Sequence, residues 1–498
     1  MSREGGIGFE GNLPWDLVEE KHLFARLTKE VSDPSRQNAV IMGRRTWMSL
    51  PSRVKPLPGR LNVVLTTNED ISSVRKEYLI PQDVIVVNTL WSALVVLGAP
   101  NLRSRIENIH IIGGIKLYEE ALSKGWLSKL HLTFVDSTAP CDVHLENDWL
   151  STQNKQPLAF TTLRGHRYQC VETKNVAEES GISWEYMSWR GVDLPEQPVL
   201  KPCKEEVNPT IINDADTSYL SLITQVFHNG NYKIDRTTVS SLSFFGTQHR
   251  YDLSRSFPLL TTKRVFWRGV VEELLWFIRG STDSKLLAAK GVHIWDGNGS
   301  RAALDALGFS EREEGDLGQV YGFQWRHFGA KYATCHDDYQ GEGYDQLAAI
   351  RQGLKENPHD RRLILSAWNP PALKDMALPP CHVLAQFYVI DGCLSCQMYQ
   401  RSADIGLGVP FNISSYALLT CILAADAGLQ PGEFIHVLGD AHIYVNHLEG
   451  LVKQLENDIR ALPTLEIAPF DDIEALTIDH FILKDYTPHK KISMQMAL

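Results

Sequence analysis

Long apolar runs are missing from the 498-residue sequence, and without a stretch of about 18 apolar residues we expect no membrane span. Cysteine is scarce: eight residues at irregular spacing do not make a disulfide scaffold, which predicts reduced thiols in the cytoplasm. The first residues lack the apolar segment of a secretory signal, although an organellar address would go unseen if the start of the chain were missing. The sequence also contains no internal repeats, which excludes solenoids.

Positive charge is in short supply as well. A formal net charge of −11 argues against a surface that binds DNA through its phosphates. An acidic protein can still bind a small anion where a few arginines converge. At 498 residues the chain exceeds the roughly 250–300 residues that one hydrophobic core supports, so two or more domains are expected.

The pattern along the chain predicts two domains joined by a linker. Residues 1–190 alternate short β-branched apolar runs with helical stretches, which is typical of an α/β domain. Residues 191–213 are rich in proline and charge, show no periodicity and are interpreted as a linker. Residues 214–498 are the second predicted domain. The strand candidates in the first domain are 39–42, 61–66, 84–87, 109–112 and 131–135.

A cysteine in the second domain, Cys381, comes directly after two rigid prolines. A thiol becomes a nucleophile only when nearby cations favour its thiolate, and the segment by itself fits a buried structural cysteine equally well. Arginines in the compact segments 235–237, 361–362 and 400–404 favour the nucleophile, because arginine forks suit bidentate phosphate contacts. Any one of these arginines alone fits a surface salt bridge. Together with the cysteine they indicate a phosphorylated substrate held over a thiolate.

A predicted helix at 270–278 is apolar nearly all round and carries Glu272 and Glu273. At least one of these glutamates is expected to face protein, where desolvation raises its pKa and suits it to proton transfer. Alternatively, both lie on the rim of the helix. Cys393 and Cys396 are predicted to point to opposite faces of a strand, so no metal site is predicted.

From about residue 219 to the C-terminus the sequence resembles the thymidylate synthase family. The resemblance rests on motifs that follow the family's order, at 257–263, 273–277, 315–322, 361–362, 379–382, 400–404, 408–412 and 440–444. It implies an α+β domain that methylates deoxyuridylate (dUMP) to dTMP with 5,10-methylenetetrahydrofolate. It also implies an obligate homodimer through this domain, in which Arg361 and Arg362 reach the site of the partner.

The same resemblance implies a role for each matching residue. Cys381 would add to C6 of the uracil ring, Glu273 would organise water and move protons, and Tyr321 and Asp404 would complete the catalytic set. The residues implied for dUMP binding are Arg236, Arg361, Arg362, His382, Gln400, Arg401, Ser402, Asn412, His442 and Tyr444. Those implied for folate binding are Trp295, Asn298, Asp404 and Ala497, the last in a tail that closes over bound ligands.

Two strand-to-helix turns, at 43–47 and 113–118, stand out in the first domain. Both place glycine or arginine at a helix start, where free N–H groups favour phosphate. A lone Gly-Gly more often marks a tight turn, and the order does not match the dinucleotide fingerprint. These turns resemble the dihydrofolate reductase family over residues 5–190 when taken together with 6–8, 13–15, 56–60 and 132–133.

This second resemblance implies NADPH-dependent reduction of dihydrofolate on a mixed sheet with flanking helices. Glu20 would hydrogen-bond and help protonate the pterin while Thr133 holds it in place, although Glu20 alone fits a solvated helix acid. Phe24 and Arg60 are the other residues implied for folate. Those implied for NADPH are Ile7, Gly8, Gly43, Arg44, Arg45, Thr46, Thr66, Thr67, Gly113 and Gly114.

Two features argue against an active reductase. The family opens with a central apolar strand before 6–8, which is missing here, and its loss would leave unpaired buried amides that cost about 1–3 kcal/mol each. Lys21 also stands where the family has an apolar residue that faces the ligand. A truncated start of the chain is one explanation, and a degenerate domain is the other.

The main hypothesis is a bifunctional enzyme of thymidylate synthesis, with NADPH as cofactor, methylenetetrahydrofolate as cosubstrate, and dUMP and dihydrofolate as substrates. The alternative is a synthase alone, with residues 1–190 serving as a scaffold. A non-catalytic regulator that binds pyrimidine nucleotides or RNA fits the fold but not the full catalytic set. We expect a homodimer and neither a membrane nor a DNA partner.

Overall fold

The computed structural model describes residues 1–2, 5–145, 160–163, 166–179, 181–192, 213–234 and 239–496. The chain forms two compact units. The N-terminal unit comprises Met1–Lys201 and Asn231–Ser240, and the C-terminal unit comprises Pro202–Gly230 and Ser241–Leu498. Most of the predicted linker, residues 193–212, lies outside the described residues.

The first part of the chain supplies ten strands and six helices among the described residues. They are β1 (Gly6–Gly8), α1 (Val18–Lys29), β2 (Gln37–Gly43), α2 (Arg44–Ser49), β3 (Arg60–Leu65), α3 (Ile71–Glu77), β4 (Ile85–Val87), α4 (Leu90–Leu97), α5 (Pro100–Arg103), β5 (Ile106–Ile111), α6 (Ile115–Ser123), β6 (Lys129–Asp136), β7 (Val143–His144), β8 (Phe160–Leu163), β9 (His166–Glu179) and β10 (Ile182–Val192). The five strands predicted in this region are confirmed, with ends displaced by up to three residues.

The second part continues from Asp214 to the tail. Its elements are α7 (Asp214–Asn229), β11 (Asn231–Lys233), β12 (Ser241–Asp252), α8 (Trp267–Ile278), α9 (Ser284–Ala288), α10 (Asp296–Gly299), α11 (Arg301–Ala306), α12 (Tyr321–Arg326), α13 (Gln346–Glu356), β13 (Ile364–Ser366), β14 (His382–Ile390), β15 (Cys393–Asp404), α14 (Gly408–Asp426), β16 (Gln430–Tyr444), α15 (Leu448–Leu455), β17 (Thr464–Ile467) and β18 (Phe481–Lys484).

The N-terminal unit contains a parallel sheet and an antiparallel sheet. The parallel sheet has the order β4-β3-β2-β5, and its middle strands are buried, as expected for continuous runs such as 39–42. The antiparallel sheet has the order β6-β10-β9-β8. The predicted α/β class with flanking helices is confirmed, with its strands divided between two sheets.

Strand β5 lies at one edge of the parallel sheet, and β6 lies at one edge of the antiparallel sheet. Among the described residues, β5 pairs only with β2, and Ile109 of β5 is 41% exposed. The chain start lies beside β6: the Met1 carbonyl accepts a hydrogen bond from Val135 N–H at 2.8 Å, and Ser2 forms a parallel bridge with Val135. These two residues supply the strand-like pairing with β6 that the structure describes at this edge.

The C-terminal unit is built on one sheet, in which β12, β16, β15, β14 and β13 follow one another in that order. All these pairs are antiparallel except β15 with β16, which is parallel. Helix α14 is long and apolar enough to cross a membrane, but 78% of its apolar window is buried inside the protein. It is therefore a core helix that covers β15 and β16.

The start of the C-terminal unit is fixed by a buried carboxylate. Asn213 caps α7 by accepting the N–H of Asp216 at 2.9 Å. The fully buried Asp216 carboxylate accepts the backbone N–H groups and hydroxyls of Thr261 and Thr262 at 2.6–3.0 Å. Five donors meet there, because Asn213 Nδ2 also binds Asp216 at 2.7 Å. The predicted end of this helix at Gly230 is confirmed.

Candidate active sites

The C-terminal site centres on Cys381, at the turn that leads into β14. The backbone N–H of Cys381 donates to the Tyr321 hydroxyl at 2.7 Å. The Arg401 guanidinium donates to the carbonyls of Pro379 and Pro380 at 2.8 Å each, and Arg401 N–H donates to the Cys381 carbonyl at 2.9 Å. The two prolines give the turn fixed dihedrals, and Arg401 binds it from one side. The position of the thiol is therefore set by backbone contacts on both sides.

A buried acid, Glu273 of α8, contacts one end of a row of aromatic rings. We call this row, formed by Trp295, Tyr321 and His382, the aromatic wall. Trp295 Nε1 donates to Glu273 Oε1 at 2.7 Å. Burial raises the pKa of Glu273 to about 7, and the Trp295 hydrogen bond opposes that rise. Its neighbour Glu272 is also buried, but it binds Lys290 at 2.6 Å. The prediction that at least one glutamate of this helix faces protein is confirmed.

The aromatic wall connects Glu273 to the turn of Cys381. The Trp295 ring lies 6.1 Å from the Tyr321 ring, and the Tyr321 ring lies 5.1 Å from the ring of His382. Burial, together with the nearby Cys381 thiol, holds the pKa of Tyr321 well above its usual value. Tyr321 therefore stays a neutral phenol, which can accept the Cys381 N–H and still donate its own proton.

A buried polar network lies beside the same turn. Gln400 Nε2 donates to Asn412 Oδ1 at 2.9 Å and to the Ser402 carbonyl at 2.9 Å, while His436 Nε2 lies 2.8 Å from Gln400 Oε1. Burial lowers the pKa of His382 to about 4, partly opposed by a hydrogen bond with Asn412. The network fixes the orientation of the Asn412 amide, the kind of group that can read a pyrimidine edge.

A second acid, Asp404, lies at the end of β15 next to His447. Its Oδ1 accepts the N–H of Gly406 at 2.8 Å and lies 3.4 Å from His447 Nδ1. Burial would raise the pKa of Asp404, but His447, His442 and the Gly406 N–H together lower it. Asp404 is therefore ionised at neutral pH, whereas Glu273 has a pKa close to neutral pH. Two acids in one unit thus have different protonation states.

The N-terminal site centres on Glu20 of α1. The first turn of this helix is held by Glu179 of β9, whose carboxylate accepts Val18 N–H at 2.6 Å and Glu19 N–H at 3.1 Å. Burial raises the pKa of Glu20, and a hydrogen bond from the Thr133 hydroxyl is among the contacts that oppose the rise. The structure thus brings Thr133 and Glu20 together, as the resemblance implies.

A buried guanidinium, that of Arg60 at the start of β3, contacts α1 near its C-terminal end. Arg60, only 8% exposed, donates to the Thr28 hydroxyl at 2.7 Å, and Thr28 Oγ1 donates to the Phe24 carbonyl at 2.8 Å. Arg60 Nε has no hydrogen-bond partner among the residues that the structure describes. A buried cation with a free donor fits a carboxylate ligand. Phe24 itself is partly buried.

The two glycine turns of the N-terminal unit come together. Gly43 N–H donates to the Gly113 carbonyl at 2.8 Å, and Gly113 and Gly114 lead into α6. Gly113 has φ +122°, and a Cβ there would lie 3.3 Å from Thr46 Oγ1, so the turn requires glycine. Helix starts that meet at a glycine turn can hold a phosphate group.

Comparisons with known proteins match the two parts of the chain to two different families. Residues 217–498 match the family described as thymidylate synthase, and residues 1–169 match dihydrofolate reductase. The chain is 48% identical to the bifunctional dihydrofolate reductase-thymidylate synthase 2 of Arabidopsis thaliana, over 100% of this chain and 87% of that protein. The chain belongs to the bifunctional dihydrofolate reductase–thymidylate synthase family. Bifunctional relatives from Paramecium tetraurelia and Leishmania major are 44% and 43% identical over 100% of this chain and 97% and 94% of theirs.

The chain is therefore an enzyme with a reductase domain and a synthase domain, and the bifunctional hypothesis is confirmed over the scaffold alternative. In the synthase domain the structure brings many of the predicted residues near the Cys381 turn, as described above. Asn298 is partly buried on α10, next to Trp295. His442 and Tyr444 lie together at the end of β16, with their rings 5.1 Å apart.

Some predicted synthase residues lie elsewhere. Arg361 and Arg362 are exposed, and Arg362, 88% exposed, binds Asp360 at 2.9 Å. Arg236 and Ala497 lie outside the described residues. The resemblance placed the two exposed arginines in the partner's site, and a single chain gives them no such contact among its described residues.

In the reductase domain the predicted NADPH residues differ in environment. Thr66 is buried at the end of β3, whereas Arg45 and Thr67 are exposed. Arg44 Nη1 donates to the Tyr78 hydroxyl at 3.0 Å and its guanidinium lies 4.8 Å from the centre of that ring. Ile7 and Gly8 are partly buried on β1, which pairs with β7. The side chain of Lys21 is 53% exposed and pairs with Asp16.

Three buried groups near the synthase site are missing from the predicted set. Lys263 donates to the Gly406 carbonyl, and burial lowers its pKa to about 8, while Asp404 opposes this. His447 contacts Asp404, and His436 orients Gln400. Lys263 closes the apolar segment 257–263, and a lone lysine after such a segment was an available signal. The two histidines gave no signal in the sequence, because their partners are distant along the chain.

Proposed function

We propose that the synthase domain converts dUMP to dTMP with 5,10-methylenetetrahydrofolate at Cys381, and that the reductase domain regenerates tetrahydrofolate from the dihydrofolate so formed, using NADPH. The observation that carries the synthase proposal is the fixed turn of Cys381, which the rings of Tyr321 and Trp295 connect to a buried acid, Glu273, whose pKa is about 7. A fixed nucleophile and an acid that titrates near neutrality suit addition to a ring followed by proton transfers.

In the proposed synthase reaction, the Cys381 thiolate bonds to C6 of the uracil and makes C5 nucleophilic toward the one-carbon unit of the folate. Asn412, oriented by Gln400, hydrogen-bonds the pyrimidine edge. Glu273 delivers and removes protons as C5 gains the new carbon and loses its own proton. The folate supplies both the one-carbon unit and a hydride, which completes the methyl group and leaves dihydrofolate. The C6–S bond breaks to release dTMP and restore the Cys381 thiolate. The ionised Asp404, beside Lys263, orients the folate. His442 and Tyr444 bind the deoxyribose hydroxyl.

The phosphate of dUMP requires several cations, and a single chain does not provide them all. Arg401 is partly buried beside Cys381, whereas Arg361 and Arg362 are exposed. We infer that these two arginines act in a partner subunit. One face of the neighbouring strands β13 and β14 supports a homodimer, since it exposes large apolar residues: Ile364, Leu384, Tyr388 and Ile390.

The homodimer proposal predicts complementation between two inactive variants. We expect Cys381→Ser and Arg361→Ala chains, each defective alone, to recover about a quarter of synthase turnover when refolded together in equal amounts, because half the dimers contain one intact site. The measurement is the dTMP formation rate, with the reductase rate as an internal reference. An additive result without recovery would place both groups in the same subunit's site.

The reductase residues fit NADPH and dihydrofolate. The paired glycine turns at Gly43 and Gly113 lie at the starts of two helices, where backbone N–H groups suit a pyrophosphate, and Arg60 has a free buried donor for a carboxylate. NADPH supplies the hydride when bound. Glu20, held by Thr133 in a desolvated position, supplies a proton to the pterin, because burial keeps its pKa raised.

One assay of the whole chain tests both halves of the proposal. The rate of dTMP formation reports the synthase, and the oxidation of NADPH by added dihydrofolate reports the reductase. Mass spectrometry after incubation with 5-fluoro-dUMP and methylenetetrahydrofolate is expected to show one covalent adduct at Cys381. A folded sample that forms no adduct at this thiol contradicts the synthase mechanism. The cytoplasmic location stays a prediction.

A further inference from the structure

A second group of reactive side chains lies in the synthase domain, outside the residues assigned to dUMP and folate. The ligand atoms of Asp283, Cys335 and His336 all lie within 4.8 Å of one another. Asp283 is buried at the start of α9, Cys335 is partly buried, and His336 is exposed on the loop before α13. We propose that these three residues bind one Zn²⁺ ion, with the fourth position open to water.

The donor set is what favours zinc. One thiolate, one imidazole and one carboxylate are ligands of a borderline cation such as Zn²⁺, whereas Ca²⁺ and Mg²⁺ prefer oxygen alone. Neighbouring ligand atoms in a tetrahedral zinc site are roughly 3.5 Å apart, given bonds of about 2.0–2.3 Å. The three ligand atoms lie within 4.8 Å of one another, so side-chain shifts on the order of 1 Å would bring them to zinc-binding distances, and water completes the fourth position.

The outer contacts match those of a metal-bound histidine. His336 Nε2 lies 2.9 Å from Glu313 Oε2, which leaves Nδ1 to bind the metal. A carboxylate on the second ring nitrogen fixes the tautomer and strengthens the imidazole as a ligand. Glu313 is held in turn by Lys285 at 2.5 Å.

The loop that carries Cys335 is also held in place by hydrogen bonds. Cys335 N–H donates to Asp316 Oδ2 at 3.1 Å, and the Tyr332 hydroxyl donates to Asp316 Oδ1 at 2.6 Å. His336 N–H donates to Thr334 Oγ1 at 3.2 Å. Asp283, Asp316 and Glu313 make the field around the sulfur negative, which disfavours an additional anion and favours a divalent cation.

The position of the site indicates its consequence. The Asp283 carbonyl accepts the Trp276 indole N–H at 3.0 Å, and the Trp276 ring lies 6.0 Å from the ring of Trp295, which binds Glu273. A zinc ion would join the segment at 283 to the loop at 335–336 and stiffen one end of the aromatic wall. This is a structural effect and supplies no step of the reaction.

The test is zinc binding to the whole chain after treatment with a chelator. We expect one equivalent of Zn²⁺ per chain in a titration with zinc chloride, a rise in melting temperature, and a thiolate-to-cobalt absorption band when Co²⁺ replaces zinc. Cys335→Ser is expected to abolish the band. Both Cys335→Ser and His336→Ala are expected to weaken zinc binding by at least about tenfold. The matched controls, Cys393→Ser and exposed His228→Ala, are expected to bind zinc as the parent does.

The titration is repeated in a Cys381→Ser background, because the reactive thiol there is the main competing ligand. Retention of the band in this background supports the proposal, and its loss assigns the bound metal to Cys381 and overturns it. Equal zinc affinity in the parent and in His336→Ala also overturns it. The His336 side chain is exposed, so this variant remains informative if Cys335→Ser proves unstable.

Discussion

The two units of the chain hold their reactive groups in different ways. In the synthase domain the Cys381 turn leads directly into β14 of the large sheet, and Gln400 and Asp404 lie on the neighbouring strand, β15. In the reductase domain Glu20 lies on a helix, Thr133 lies on β6, and the parallel sheet ends separately at β5. A site on one sheet depends on strand register, whereas a site assembled from separate elements depends on how those elements pack.

The largest expected effect is on the synthase. Cys381→Ser is expected to lower dTMP formation by at least about 10³-fold, because a hydroxyl at this turn is a far weaker nucleophile than a thiolate. Reductase turnover on the same sample is expected to stay at the parent level. Cys393→Ser, which changes a cysteine at the start of β15, is the matched control. Substantial residual dTMP formation by the serine variant contradicts covalent catalysis.

The corresponding change in the other unit is Glu20→Gln. The amide cannot supply the proton, so we expect reductase turnover to fall by about 10²–10⁴-fold while dTMP formation is unchanged. Glu19→Gln, a change at the neighbouring position, serves as the control. The measurement is dihydrofolate-dependent NADPH oxidation at several pH values, and a parent-like rate in Glu20→Gln removes the acid from the mechanism.

The third prediction concerns the pH dependence of stability in the synthase domain. The pKa of Glu273 is raised from 4.5 to about 7, so its protonated form favours the folded state. That contribution is complete below pH 4.5 and is lost as the pH rises through 7. Glu273→Gln keeps the acceptor for Trp295 without a charge. Between pH 4.5 and 7 we therefore expect the variant to gain roughly 3 kcal/mol of unfolding free energy relative to the parent.

Denaturant unfolding at the two pH values measures this difference. Glu272→Gln is a useful comparison, because Glu272 lies on the same helix as Glu273 but is paired with Lys290. If Glu273→Gln and the parent show the same dependence on pH, Glu273 is not the buried titrating acid that the structure describes.

The smallest expected effect sharpens the contrast between the sheets. Amides of β5, at the edge of the parallel sheet, are expected to exchange with solvent roughly tenfold faster than those of β15, a difference of about one net hydrogen bond. Hydrogen exchange followed by mass spectrometry on the whole chain measures both strands together. Equal protection would mean that β5 is covered by something other than the pairing described above.

Much of the fold follows from local patterns. The buried run at 39–42 is wholly apolar and the run at 61–66 is largely so, which is why the parallel strands could be predicted, and Gly230 marks the end of α7. The prolines before Cys381 and the apolar surroundings of Glu273 likewise gave local signals. The division of the strands between two sheets did not follow, because strand partners are set by tertiary packing.

The site residues that the sequence did not reveal were missed for the same reason, because tertiary packing brings them together. His447 lies 43 residues from Asp404, and His436 lies 36 residues from Gln400. In each case the two partners lie outside any single helix or strand, so no local pattern in the sequence connects them. Cys335 and His336 are adjacent in sequence, but Asp283 is brought to them only by the fold. Groups that function together through long-range packing leave no regular spacing in the sequence.

The hydrogen bonds around Asp216 have a mechanical consequence. Because five donors converge on one buried carboxylate, and Asn213 Nδ2 also donates to the Arg460 carbonyl at 2.7 Å, the C-terminal unit is anchored from its first described residue. A force applied to the chain from the N-terminal side would therefore act on these contacts before it reached the turn of Cys381. We therefore expect a protease cut before Asn213 to leave these contacts intact in the C-terminal fragment.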